Sequence, residues 1–148
     1  MTLVIQGSKR TAELVEYENG HTCSDLILRL PRDSIIFMGG LLFVRNHPYI
    51  GVGDTDAVMD ILQEIRGMEA RIFVPGHGPV GGKDDLQVLI YYVEICQDIT
   101  KRMVSDGQGE EALDEIAVPK PFDSWQQAGF FRSNLRFLYE RLLDEQQN

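Results

Sequence analysis

The feature that most constrains this chain is how often its first 37 residues switch between strand-like alternation and turn chemistry. Leu3 to Gln6 and Thr11 to Tyr17 are separated by a Gly7-Ser8 turn, which predicts a hairpin. Asp25 to Leu30 alternates, setting Leu26, Leu28 and Leu30 on one face and Ile27 on the other. Pro31-Arg32-Asp33-Ser34 is turn chemistry, and Ile35-Ile36-Phe37 resumes a strand. Four strands in so short a stretch make a meander. The pattern predicts a sheet with apolar residues on both faces, and a sheet of that kind must be covered by other layers.

Beyond the meander the apolar period changes. Val58, Ile61, Leu62 and Ile65 fall at i, i+3, i+4 and i+7, predicting a helix capped by Asp54 or Thr55 and ended by Gly67. Arg71 to Val74 reads as a short buried strand stopped by Pro75-Gly76, with the Gly-rich turn at its carboxyl end. A long helix is expected from Asp84 to Met103, with Leu86, Leu89, Ile90, Val93, Cys96 and Met103 on one face and Tyr92, Ile95 and Ile99 widening it. A short helix follows at Glu110 to Ile116, and a final one from about Ser124 to Asp144. Trp125, Phe130 and Phe131 read as core or interface. The order of elements predicts an α+β architecture, a mostly antiparallel sheet with helices on one face. One domain over residues 1–148 is expected, strand-rich over 1–82 and helical over 83–148.

Composition narrows the function. With 14 Lys+Arg against 23 Asp+Glu the formal net charge is -9, which argues against nucleic acid and anionic membrane surfaces as partners. No apolar run approaches the ~18 residues of a membrane span. Cys23 and Cys96 show no CxxC or zinc-ribbon spacing, and are expected to be reduced thiols packed as small apolar groups. The amino terminus lacks the basic start and long apolar stretch of a secretory signal, so a cytoplasmic protein is expected.

Chemistry, if the chain has any, starts at its three histidines, His21, His47 and His77. His21 lies in Gly20-His21-Thr22, between two strands, and His77 in Pro75-Gly76-His77-Gly78-Pro79, after a buried strand. Flanking glycines leave room for a ring to meet a ligand. His47, in Arg45-Asn46-His47-Pro48-Tyr49, reads as a loop histidine that could line a pocket or substitute as a ligand. Gly51-Val52-Gly53 lacks the continuation and the preceding strand of a phosphate loop.

Four blocks in order, Gly20-His21-Thr22, Leu26 to Pro31, Ile35 to Phe43 and Val74 to Val80, resemble the carboxyl-terminal half of the metallo-β-lactamase superfamily. The resemblance covers roughly Thr2 to Asp85. It implies the carboxyl-terminal half of an αββα sandwich, with zinc as the family cofactor. It also implies that His21 matches a ligand of the first metal and His77 a ligand of the second. The bridging aspartate of the family corresponds to Gly40, which has no donor. The remaining four of seven family ligand positions belong to an HxHxDH signature, which this sequence does not contain.

A catalytic zinc needs about three protein ligands and an open position. His21 and His77, which serve different metals in the family, fall short of that, so no catalytic residue is assigned and no tight metal is expected. The chain reads as a metallo-β-lactamase-like half-domain, inactive alone, whose uncovered sheet face would draw a second copy into a homodimer. The alternative is one subunit of a split metallohydrolase whose HxHxDH half is a separate chain.

Overall fold

The computed structural model describes residues 1–147. Five strands form one sheet in the order β1 (Thr2–Gln6), β2 (Thr11–Glu18), β3 (Ser24–Leu30), β4 (Ile35–Phe43) and β5 (Ile72–His77). β1 to β4 pair antiparallel and β5 runs parallel to β4. A parallel neighbour needs a crossover, and helix α1 (Thr55–Gly67) lies between β4 and β5 in the chain. The mostly antiparallel sheet and its helices agree with the expected fold class.

β4 is longer than the three residues Ile35 to Phe37 suggested. It continues through Gly39-Gly40 because its register with β5 shifts at Gly39, whose φ of 53° is open to glycine at little cost. Asp54, not Thr55, caps α1: its side chain accepts from the backbone N–H groups of Asp56 and Ala57. Gly67 is the last helical residue, and Met68 caps the end.

The chain clusters into two compact units, one of residues 1–44 and 52–90, the other of residues 45–51 and 91–148. In the first, cross-strand pairing sets Tyr17, Ile27, Ile36, Met38 and Phe73 on one face of the sheet, and all five are buried. α1 lies on that side, where the Tyr17 hydroxyl donates to Glu64 at 2.8 Å. Burial and this acceptor both push the Tyr17 hydroxyl well above its ordinary pKa. Ile61, Leu62 and Ile65 of α1 are buried as well, as are Leu86, Leu89 and Ile90 of the same unit.

The opposite face carries Leu3 and Ile5, Leu14, Leu26, Leu28 and Leu30, Ile35 and Phe37, and Ile72 and Val74. Leu3, Ile5, Leu26, Phe37 and Ile72 are 56, 51, 58, 39 and 41% exposed. The expectation that both faces are apolar holds, but only one is covered. Leu26, on the open side, and Ile27, fully buried beside it, differ by nothing but the pleat.

The second unit is helical. It holds the later turns of α2 (Lys83–Ser105), 3-10 turns at Glu110–Glu115 and Phe122–Ser124, and α3 (Gly129–Gln147). α3 starts five residues later than the expected Ser124. Gln126 is held in a backbone bridge with Asn46, and Gln127 has a φ of 60°, which no helix accommodates. Val93, Cys96, Leu135 and Leu138 are buried here. Burial pushes the Cys96 thiol up to about 12. Cys23, in contrast, is exposed, because it lies on the β2–β3 turn and not in a strand. No helix among the described residues is long and apolar enough to cross a membrane.

Candidate functional site

His21 sits on the turn between β2 and β3, and Asp25 fixes that turn. Its largely buried carboxylate accepts from the Thr22 N–H at 2.9 Å, and the Thr22 hydroxyl lies 3.1 Å from its other oxygen. An acceptor three residues beyond a threonine is a local signal that was open to sequence reading and was missed. Asp25→Ala is expected to cost about 1–3 kcal/mol by leaving the Thr22 N–H without its carboxylate acceptor, while the Thr22 hydroxyl keeps the Ser24 carbonyl at 2.9 Å. A urea denaturation series measures this; a loss indistinguishable from zero would mean that water replaces the carboxylate without cost.

β4 and β5 bring the second histidine to the same place. Phe43 and His77 are register partners at the end of the parallel pair, and the Val44 N–H donates to the His77 carbonyl at 3.0 Å. The Phe43 ring stacks on His77 at 4.8 Å with 16° between planes. It meets the edge of His21 at 5.6 Å and 60°. Thus His21 and His77 converge on one buried phenylalanine, which their sequence motifs do not single out. His77 itself is exposed.

Gly40 completes the picture. A Cβ at position 40 would lie 2.7 Å from His21 Cδ2 and 3.5 Å from its Nε2. The His21 imidazole therefore occupies the direction that a side chain at position 40 would take. Among the described residues no three His, Cys, Asp or Glu side chains gather as a metal site requires. The residues present do not fit a zinc ion: the two imidazoles pack on one phenylalanine ring, and no third donor joins them among the described residues.

His47 belongs to the second unit and is fully buried there. Its Nε2 lies 3.0 Å from the Phe122 carbonyl, which can only accept, so Nε2 carries the proton. Nδ1 is then the acceptor for the Tyr92 hydroxyl at 3.1 Å. Tyr92, Trp125 and Phe131 surround the ring at centroid distances of 5.4, 5.7 and 6.1 Å. With both nitrogens committed, His47 is a core histidine and neither a loop residue without partners nor a free ligand. Burial lowers its pKa from the ordinary value, against a smaller upward effect of the Phe122 carbonyl.

No protein-family model matches this sequence, and no curated protein does. Solved structures do. The metallo-β-lactamase from Pontibacter korlensis superposes with a TM-score of 0.58 at 21% identity, over 64% of this chain and 46% of that one. The stereoselective inverting sec-alkylsulfatase Pisa1 from Pseudomonas sp. matches 96% of this chain and 25% of its own, with a TM-score of 0.66 at 16% identity. This chain thus spans less than half of either protein. At such identities the likeness establishes the fold. In the sulfatase it extends over nearly the whole chain, and so beyond the residues that carry the sequence resemblance.

Proposed function

We propose that this chain, whose fold is like that of part of the metallo-β-lactamases, is a hydrolase-related half-domain that pairs with a second copy of itself and does not hydrolyse on its own. The observation that carries the reading is the open sheet face together with the His21 ring in the space beside Gly40. A zinc-bound hydroxide needs a metal held by several ligands. His21 and His77, both packed on Phe43, do not supply them. The two free thiols suit a reducing compartment, and we place the module in the cytoplasm.

The size of the open apolar face supports self-association. Five large apolar side chains that are about half exposed, with five more partly exposed beside them, offer on the order of 600 Å² at about 200 Å² per large side chain. That lies at the upper end of the ~300–600 Å² patch of a typical monomer and close to the ~800 Å² per partner of a standard interface. A two-fold pair would bury the patch against itself.

Light scattering behind a sizing column at micromolar concentration is expected to give twice the protomer mass of 16.8 kDa. The melting temperature should then rise with protein concentration. Changing Leu26→Lys and Phe37→Glu together should return a monomer. After dialysis against a weak chelator, less than one zinc per protomer is expected. A monomer that binds no apolar dye would overturn the pairing. A stoichiometric, chelator-resistant zinc would overturn the metal reading. A monomer that does bind dye would favour the split-enzyme alternative, with a separate HxHxDH-bearing chain on the same face.

A further inference from the structure

We propose that His47 is an acid-sensitive latch in the second unit: protonation of its ring releases the segment Arg45–Gly51 from the helices that hold it. This segment is tied down by side chains far away in sequence. The Ile50 N–H donates to Asn134 Oδ1 at 3.0 Å, and Asn134 Nδ2 donates to the Pro48 carbonyl at 2.7 Å. Asn134 Nδ2 also lies 3.1 Å from the Tyr92 hydroxyl oxygen. That hydroxyl donates to His47 Nδ1, and His47 Nε2 donates to Phe122. The bonds form one directed chain, from Ile50 through Asn134, Tyr92 and His47 to Phe122, and it is complete only with a neutral imidazole.

A proton on Nδ1 reverses one link. The Tyr92 hydroxyl would have to accept from His47 while its oxygen already receives Asn134. Its own proton would turn to the Cys96 sulfur beside it, a weak acceptor that replaces a stronger bond to the imidazole nitrogen. The groups turned towards the ring offer no compensating charge. α2 presents Tyr92, with the Cys96 thiol beside its hydroxyl. The turn before α3 presents the Phe122 carbonyl and the Trp125 ring, and α3 presents Phe131 and, through Tyr92, Asn134. Tyr92 and Cys96 are the titratable members, and burial holds both neutral. Asp123, next to Phe122 in sequence, is exposed. A buried imidazolium among these groups is costly, and the protein can relieve it by opening.

The sign follows from the lowered pKa of His47 in the folded unit. The opened state keeps an ordinary value near 6.5, so it binds the proton first, and the latched state weakens as pH falls below about 6.5.

Trp125, the single tryptophan, stacks on Tyr92 at 5.5 Å and faces His47, which makes it a built-in reporter. The test follows Trp125 emission and amide hydrogen exchange in the whole chain between pH 7 and pH 4.5. Expected is an emission change with a midpoint below about 6.5. At the acid end, exchange at the Ile50 N–H, corrected for intrinsic rate, should be about tenfold faster while Phe73 in β5 keeps its protection. His47→Gln should remove the pH dependence of both probes. Should that variant not fold, the wild-type pair of amides still decides. Unchanged emission and Ile50 exchange across the range, or equal acceleration at Ile50 and Phe73, overturns the latch.

Discussion

Asn134→Ala should destabilise the helical unit by about 3–5 kcal/mol, the largest effect expected of a single polar side chain here. Asn134 is fully buried, and both ends of its amide are in use. Its oxygen receives the Ile50 N–H, and its nitrogen serves the Pro48 carbonyl and the Tyr92 hydroxyl. Truncation strands a backbone donor and a backbone acceptor away from water, at about 1–3 kcal/mol each. It also leaves a small void beside Pro48, Ile50 and Tyr92, the residues its amide touches. Asn134→Asp keeps the acceptor for Ile50 but sets a carboxylate oxygen against the Pro48 carbonyl, so it should rescue little. Denaturation followed by Trp125 emission reads the transition within this unit. A loss below about 1 kcal/mol would mean that water enters and satisfies the stranded groups.

Much of the fold was legible because it rests on local periodicity. The alternation of Leu26, Leu28 and Leu30 gave β3, and the Val58-to-Ile65 spacing with Asp54 before it gave α1. His21 and His77 stood out through their flanking glycines, and the structure does bring them to one place. What lies between them could not be read. Phe43 closes the run Leu41-Leu42-Phe43 with no local mark to separate it from its neighbours. Its role depends on the register of β4 against β5 after a bulge at Gly39.

Long-range partners hid the rest. His47 is defined by Tyr92, 45 residues on, and by the Phe122 carbonyl, 75 residues on. Its own surroundings, Asn46 and Pro48, suggest an ordinary loop. Alternation likewise gives the parity of the two sheet faces but not which of them a helix covers. That is settled by where α1 lands, and the Tyr17–Glu64 bond marks the side. The start of α3 was misplaced for a related reason. Ser124 and Asp123 look like capping residues, yet the backbone of Gln126 pairs with Arg45 and His47, far upstream, and delays the helix.

Gly53→Ala is expected to cost about 3 kcal/mol or more, although the change adds one methyl group outside any helix or strand. A Cβ at Gly53 would run into the carbonyl oxygen of Gly20, with the Gly20 and His21 carbonyl carbons at 3.0 and 3.3 Å. No rotamer relieves a clash between backbone and Cβ, so one of the two loops must move. The loop bearing Gly20 has little freedom: a Cβ there would itself meet Asp25 at 2.7 Å and Leu41 at 2.8 Å. Asp25 in turn holds Thr22. Displacement should therefore pass to His21, and its imidazole resonances should shift along with the loss of stability. Gly67→Ala is the matched control. Nothing lies within 4 Å of its Cβ, and it ends α1, so alanine there should be neutral or stabilising by up to about 1 kcal/mol. If both variants melt with the wild type, the Gly53 loop yields freely and does not brace the His21 turn.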